Sequence, residues 1–472
     1  MKGKRILSIL GFVLSVILLV ACSDTSNGGD TNADNDNDKE KENDKNDGRD
    51  LNNNDSESAE DITLRFWYPG DPEEVDERLG ERFPHITFEW NDIQVVNAYR
   101  ETMEDEFAKD QIPDIMVLTD YSLSVLDSYD MVYDLTSLID KHNLDMDNWP
   151  EHRVQAMHAH KPDDEGIYSL PANLTKFALA YNKKVFDQFG VDYPTDDMTW
   201  DEVIDLAKKV TGEKDGVQYR GLDIAADGHM VGMLDNWIVN ADDEVQFEGR
   251  EDVKKLFSLI ETVADIPGNI PDNDKEDFFD PWSYEIYNEG NVAMAVHARY
   301  IAPGFEEAAE EGKIDYDDFD FVSWPIWDED NPTQPYTDGT FYAISPHTDY
   351  PDEAFEVIEY LISDEWLEEH DPIDYNSDIL KDKNVAAFER YPLNVPDGRS
   401  SEYQVTTGRV MFDRYANKII YEDIDVITAI REAQKEAESE IKEAKGAEYK
   451  DFILEKPMIY HGALSKVVSH SL

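Results

Sequence analysis

Cysteine is almost missing: Cys22 is the only one in 472 residues. No disulfide can form within the chain, so stability has to come from core burial. Basic residues are scarce, with 42 Lys and Arg against 106 Asp and Glu and a formal net charge of -64. So negative a chain lacks the basic footprint that phosphate backbones require, which excludes non-specific nucleic-acid binding. Long apolar runs are also lacking. None after Val20 reaches the roughly 20 residues that cross a bilayer. The motifs of common chemistries are wanting as well: there is no nucleophile elbow, phosphate loop or zinc signature. Asp34-Asn35-Asp36-Asn37-Asp38 starts like a calcium loop, but Lys39 stands where glycine is needed and Lys45 where Glu is needed. His152, His158 and His160, beside Glu151, fit no metal spacing and read as solvated or packed groups. Carboxylates are so abundant that no glycosidase pair can be singled out. The expectation is a protein with no catalytic residue, no metal and no cofactor.

What is present begins at the N-terminus. Lys2, Lys4 and Arg5 precede an apolar stretch from Ile6 to Val20, then Leu19-Val20-Ala21-Cys22. This is the basic, apolar, small-residue order of a secretory signal. Leu-Val-Ala-Cys resembles a bacterial lipobox, a signal whose cysteine is acylated with diacylglycerol and becomes the first residue of the mature chain. The resemblance implies a signal peptide over residues 1–21, a lipidated Cys22 (diacylglyceryl and palmitate) and residence on the outer face of the cell membrane. A diacyl group supplies the two chains that stable anchoring needs. Residues 22–61 follow as an acidic, low-complexity tether of Asn, Asp, Glu, Lys, Ser and Gly, too poor in apolar residues to fold. The acidity runs along the whole chain, as in proteins adapted to a saline or alkaline exterior.

About 410 residues remain after the tether, enough for two domains. With 24 Tyr, 20 Phe and 9 Trp a large core is available. Ile62–Tyr68 reads as a strand ending in the turn Pro69-Gly70, and 72–81 as a helix. A strand follows at 86–90, a helix at 98–109 and a buried strand at 114–118. Alternating strands and helices predict a parallel α/β sheet, with sites past the carboxyl ends of its strands. Thr199 and Glu202 form a capping box for a helix over 200–210, and Gly212 lies just past its end. Pro351 opens another helix, whose stripe is Phe355, Ile358, Leu361 and Ile362. Residues 423–445 form a long amphipathic helix.

Several segments resemble, in order, the extracellular solute-binding proteins of ABC importers, in the family that contains sugar and oligosaccharide binders. They are Pro113-Asp114-Ile115, Leu135–Ile139, Gly166-Ile167-Tyr168-Ser169-Leu170-Pro171, Ala180–Phe186, Phe189-Gly190-Val191 and Thr199–Glu202. Gly290–Met294, Ala343-Ile344-Ser345 and Pro351–Ala354 continue the match, which spans most of 62–440. His297-Ala298-Arg299-Tyr300 departs from it, since members often carry a Gly-Pro-Trp or Gly-Trp-like turn there. The resemblance implies a two-lobed periplasmic-binding-protein-like α/β fold of type II, with lobes joined by crossover strands and a ligand cleft between them. Lobe 1 would take 62–172 plus 324–372, and lobe 2 would take 173–323 plus 373–472.

A sugar presents apolar C–H faces and hydroxyl rims, so its site needs aromatic platforms with Asp, Asn, Glu or Arg beside them. On the resemblance the candidates are Trp67 and Tyr68 after the first strand, Asp120 and Tyr121 after the Pro-Asp-Ile strand, and Asn173 near the first crossover. Asp235, Trp237, Trp282 and Arg299 follow, then Trp324, Tyr336 and Asp338 near the return to lobe 1. Trp90, Trp149, Trp200 and Trp366 read as structural. The expected function is a lipid-anchored, monomeric receptor that binds a sugar or oligosaccharide and delivers it to ABC permease subunits, touching the membrane only through its lipid. A lipid-anchored secreted carbohydrate-active enzyme is the alternative, as is a receptor for a non-sugar solute such as a polyamine or peptide.

Overall fold

The computed structural model describes residues 61–92, 112–159, 166–224, 228–270, 286, 290–299, 301–337, 339–369, 380–396, 401–422 and 424–446. Cys22, the signal-like segment, the tether and the helix expected at 98–109 lie outside these residues.

The strands in chain order are β1 (Ile62–Tyr68), β2 (Ile86–Asp92), β3 (Ile115–Leu118), β4 (Leu170–Leu174) and β5 (Phe177–Asn182). A small hairpin is formed by β6 (Gly212–Lys214) and β7 (Val217–Tyr219). Then come β8 (Asp223–Ile224), β9 (Met294–Ala298), β10 (Phe319–Ser323), β11 (Gln334–Pro335), β12 (Gly339–Ile344) and β13 (Leu393–Asn394). Two sheets dominate: β2-β1-β3-β12-β4 and β10-β5-β9-β8.

The first sheet opens as the sequence predicts, with β1 parallel to both β2 and β3. It then departs, because β12 runs antiparallel to β3 and to β4. The reason lies in the connections. A parallel neighbour in one sheet needs a helical crossover, whereas β4 leaves for the second sheet through Thr175-Lys176 and β12 returns from it. In the second sheet β5 is antiparallel to β10 and β9, and only β8–β9 is parallel.

Each sheet is covered on both faces. On one side of the first, Leu64, Phe66 and Tyr68 meet Val75, Leu79, Phe355, Ile358, Leu361, Ile362 and Trp366. Trp90 stacks on Phe66 at 4.9 Å between ring centroids, and its Nε1 donates to Asp76 Oδ1 at 2.7 Å. On one side of the second sheet a larger core joins the helices Trp200–Val210, Glu251–Ala264 and Val426–Gly446. Its other side packs Ala178, Ala180 and Ala295 against Phe305, Phe319, Phe321 and Phe388.

Local signals behave as their chemistry requires. Thr199 Oγ1 accepts from Glu202 N at 3.3 Å, and a Glu202 carboxylate oxygen accepts from Thr199 N at 2.9 Å. Gly212 lies just past the end of that helix, as expected, and opens β6; Thr211 ends the helix in extended conformation and donates its Oγ1 to Ala207 O at 2.7 Å. Pro351 stands in the first turn of the helix Pro351–Leu361, where its missing N–H costs nothing.

Candidate functional site

Strand β1 sends alternate side chains to opposite faces. Phe66 and Tyr68 therefore enter the first sheet's helix-covered core, while Trp67 points the other way. There it meets Met116 and Leu118 of β3, Phe341 and Ala343 of β12, and Leu123 and Leu126 from the helix Asp120–Asp127. Two aromatic residues from distant parts of the chain complete this cluster: Trp237, from the turn after the short helix Gly228–Val231, and Tyr336, beside β11. Their rings meet edge to face, 6.3 Å apart and inclined at 73°. Trp67 is 0%, Tyr336 2% and Trp237 6% exposed, so all three rings are buried within one cluster.

The backbone is locked where Tyr336 arrives. Tyr336 N donates to Gly232 O at 3.2 Å, and a Cβ at position 232 would lie 2.1 Å from Tyr336 O. Only glycine allows that approach. Asn394, in β13, donates Nδ2 to Leu234 O at 2.9 Å and to Gly232 O at 3.2 Å.

The connections between the sheets meet beside this cluster. Gln334, 2% exposed, lies in the segment that returns from β10 to β12. Its Oε1 accepts from Phe177 N at 2.6 Å, at the far end of the β4-to-β5 crossing. Its Nε2 donates to Phe388 O at 3.0 Å and Tyr391 O at 2.6 Å. Lys176, in the first crossing, reaches His152 Nε2 at 3.2 Å and Glu389 Oε2 at 3.1 Å. Burial, reinforced by the charges of Lys176 and Arg153, pulls the His152 imidazole down to about 4, so it stays neutral and accepts from the ammonium group.

The other sequence candidates fall in varied places. Tyr68 packs edge to face with Phe66 and Trp90; burial, then Glu74 and Asp71, raise its phenol well above the usual range. Trp324 lies in the second sheet's core between Phe177 and Trp200, at 5.6 Å from each ring. Asn173 is half-buried on β4 opposite Thr340. Arg299 is half-buried just after β9, and its N–H donates to Lys176 O at 2.8 Å. Asp235 is exposed two residues before Trp237; burial of its carboxyl, then the nearby Asp252 charge, raise its pKa. Asp120 and Tyr121 begin the helix Asp120–Asp127, and their side chains lie outside the described residues. So do Trp282 and Asp338.

Sequence reasoning passed over Gln334, Asn394, Lys176 and the Arg250–Asp252 pair. Each acts by bonding backbone groups or charges outside its own element, which no local pattern reveals. Arg250 carried one readable signal: it stands at the N-cap of the helix Glu251–Ala264, where Ser, Thr, Asp or Asn would be expected.

Among the described residues there is no cluster of His, Cys, Asp and Glu fit to hold a metal ion, and no helix is long and apolar enough to cross a membrane. An open pocket of about 620 Å³ lies between Glu248 and the helix Val426–Gly446. Its lining of Arg431, Glu432, Gln434, Lys435 and Glu438 offers no aromatic platform.

Residues 75–371 match the sequence model of a family described as bacterial extracellular solute-binding protein. Among solved structures, MalE, a sugar-binding protein from the phytopathogen Xanthomonas citri, is similar with TM-score 0.64 and 16% identity, over 81% of this chain and 98% of that one. A sugar transporter from Rhizobium etli in an open conformation is similar with TM-score 0.63 and 16% identity, over 80% and 99%. An ABC substrate-binding protein from Listeria monocytogenes in complex with cycloalternan gives TM-score 0.59 and 19% identity, over 81% and 100%. No curated protein matches the chain. The fold is thus the two-lobed α/β architecture of type II.

Proposed function

Because the chain belongs to the bacterial extracellular solute-binding proteins, we propose that it is a receptor that captures a sugar or oligosaccharide and hands it to an ABC importer without altering it. The observation that carries the reading is the meeting of Trp67, Trp237 and Tyr336 in one buried cluster, two of them in edge-to-face contact. Aromatic faces match the apolar C–H faces of a sugar ring. The similar structures, a sugar-binding protein from Xanthomonas citri, a sugar transporter from Rhizobium etli and a cycloalternan complex from Listeria monocytogenes, support the same solute class.

In this mechanism the lobes are 62–172 plus 324–372 and 173–323 plus 373–472, and solute entry requires them to part. Closure over the solute buries its ring against the indoles and presents the closed form to the permease subunits. Among the described candidates, Asn173, Asp235 and Arg299 retain exposure and would bond its hydroxyl rim. Lipidation of Cys22 would hold the protein on the outer face of the membrane beside its permease, with 22–61 as the tether; a monomer suffices for that role.

A thermal-shift screen of the purified protein over mono- and oligosaccharides, polyamines and peptides tests the reading, followed by calorimetry and product analysis on any hit. One sugar bound per chain and recovered intact is the expected result. Turnover of the sugar into product would replace the receptor with a carbohydrate-active enzyme, and a polyamine hit with no sugar hit would overturn the solute class.

A further inference from the structure

The turn that delivers Trp237 is fastened at its backbone by side chains outside it. Arg250 Nη1 donates to Trp237 O at 2.8 Å, and Nη2 donates to Asn236 O at 3.0 Å. The same guanidinium pairs with the Asp252 carboxylate through Nη2 and through Nε, the latter at 3.0 Å. Asp252 Oδ2 in turn accepts from Asp235 N at 3.0 Å. The pair is largely withdrawn from solvent, with side-chain exposures of 17% and 11%. Three consecutive residues, Asp235, Asn236 and Trp237, are therefore clamped at their backbone by one ion pair, while Asn394 holds the preceding Gly232 and Leu234 carbonyls.

Helix chemistry does not explain Arg250. At the N-cap of Glu251–Ala264 it makes no capping hydrogen bond, and a cationic residue meets the positive end of the helix dipole there. A local choice that works against its own helix signals a role elsewhere. That role needs a guanidinium: a planar fork can reach two carbonyls and a carboxylate at once, which a lysine ammonium at the end of a flexible stem cannot reproduce.

We infer that Arg250, braced by Asp252, is a positioning residue that fixes the Trp237 indole in the interlobe aromatic cluster and thereby sets the affinity of the site for a sugar ring. The inference rests on the reading of that cluster as the solute site. Arg250 touches no solute; it acts through Trp237, because restraining the carbonyls of residues 236 and 237 restrains the Cα–Cβ direction of the indole. An indole held in place before binding spares the solute the cost of ordering it.

Two measurements on the full-length chain decide the matter. The first needs no sugar. Acrylamide quenching of tryptophan emission, with Trp237→Phe as the difference reference, isolates the Trp237 signal. Arg250→Met should raise its accessibility severalfold, and Arg250→Lys should fall between that variant and wild type. Unchanged quenching in both variants overturns the positioning role. The second is a double-mutant cycle on affinity for maltotriose and mannotriose. Arg250→Met should weaken binding about tenfold in the wild-type background and almost not at all in Trp237→Ala, since a residue acting through Trp237 has nothing left to act on. Equal losses in both backgrounds overturn the coupling. If Arg250→Met does not fold, the same cycle is read from Arg250→Lys. Failure of the wild-type protein to bind any sugar would sink the solute reading, while the quenching result would still decide whether Arg250 positions the indole.

Discussion

At the scale of single residues, aromatics that look alike in sequence have different fates. Trp67, at the end of the first strand, and Trp324, near the expected return to lobe 1, are both candidates by sequence. The structure seats Trp67 in the buried cluster that holds Trp237 and Tyr336, and Trp324 in the second sheet's core. Trp324→Ala should therefore cost about 3–5 kcal/mol of stability while leaving sugar affinity within about twofold wherever the protein remains folded. Trp67→Ala should lower affinity by tenfold or more; denaturant titration beside calorimetry separates the two, and a Trp324 variant with normal stability would contradict the assignment. His152 gives a pH signature. Its ring titrates at about 4 in the folded protein against 6.5 as the ordinary value, so between those two pH values the unfolded chain takes up a proton that the folded one refuses. The stability contribution is complete above pH 6.5 and is lost as pH falls toward 4. His152→Gln, which can still accept from Lys176, should lose less melting temperature between pH 7 and 4.5 than wild type does. Parallel pH profiles would show that His152 contributes nothing to that slope.

Whole elements were the most readable level. Strand β1 occupies the expected residues, and the helix Trp200–Val210 starts at its capping box, because both are fixed by near neighbours: alternation in one case, reciprocal cap bonds in the other. Thr199→Ala should remove about 1 kcal/mol and lower the melting temperature by a few degrees, with no change in affinity; an unchanged melting temperature would mean the cap is redundant. Strand direction was not readable. The expected parallel sheet turned out mixed because β12 and β4 owe their direction to a second lobe. Where the elements cross, Gln334 satisfies the backbone N–H of Phe177 and two carbonyls, of Phe388 and Tyr391, in a second segment. Gln334→Leu leaves all three buried without their partner, at about 1–3 kcal/mol for each group. The expected outcome is a large loss of stability, accompanied by a wider spread of dimensions in small-angle scattering; a variant as stable and as compact as wild type would show that Gln334 does not hold the crossings together.

For the whole molecule, charge dominates. With a formal net charge of -64, self-repulsion opposes compaction and salt screens it. Melting temperature should climb as NaCl rises from 0.05 to 1 M, and a flat response would detach the acidity from any saline or alkaline setting. The proposed lipidation of Cys22 belongs to this scale too, since tethering would raise the receptor's effective concentration at its permease. Cys22→Ala should release or misprocess the protein and weaken uptake while solute affinity stays constant. Loss of affinity in that variant would give Cys22 a role beyond anchoring.

The division between what the chain spells out and what folding decides follows from the range of the interactions involved. Composition and local pattern determined the class of protein: too acidic for nucleic acid, without disulfides, with alternating strands and helices and a set of segments in one family's order. These are short-range or summed properties, legible one window at a time. Tertiary structure alone decided that Trp67, Trp237 and Tyr336 meet, that Trp324 does not join them, and that Arg250 and Gln334 hold the backbone around them. The backbone hydrogen bonds among those pairings span from 13 residues, between Arg250 and Trp237, to 157, between Gln334 and Phe177, and their energy exists only once two sheets and their crossings bring the groups out of water together.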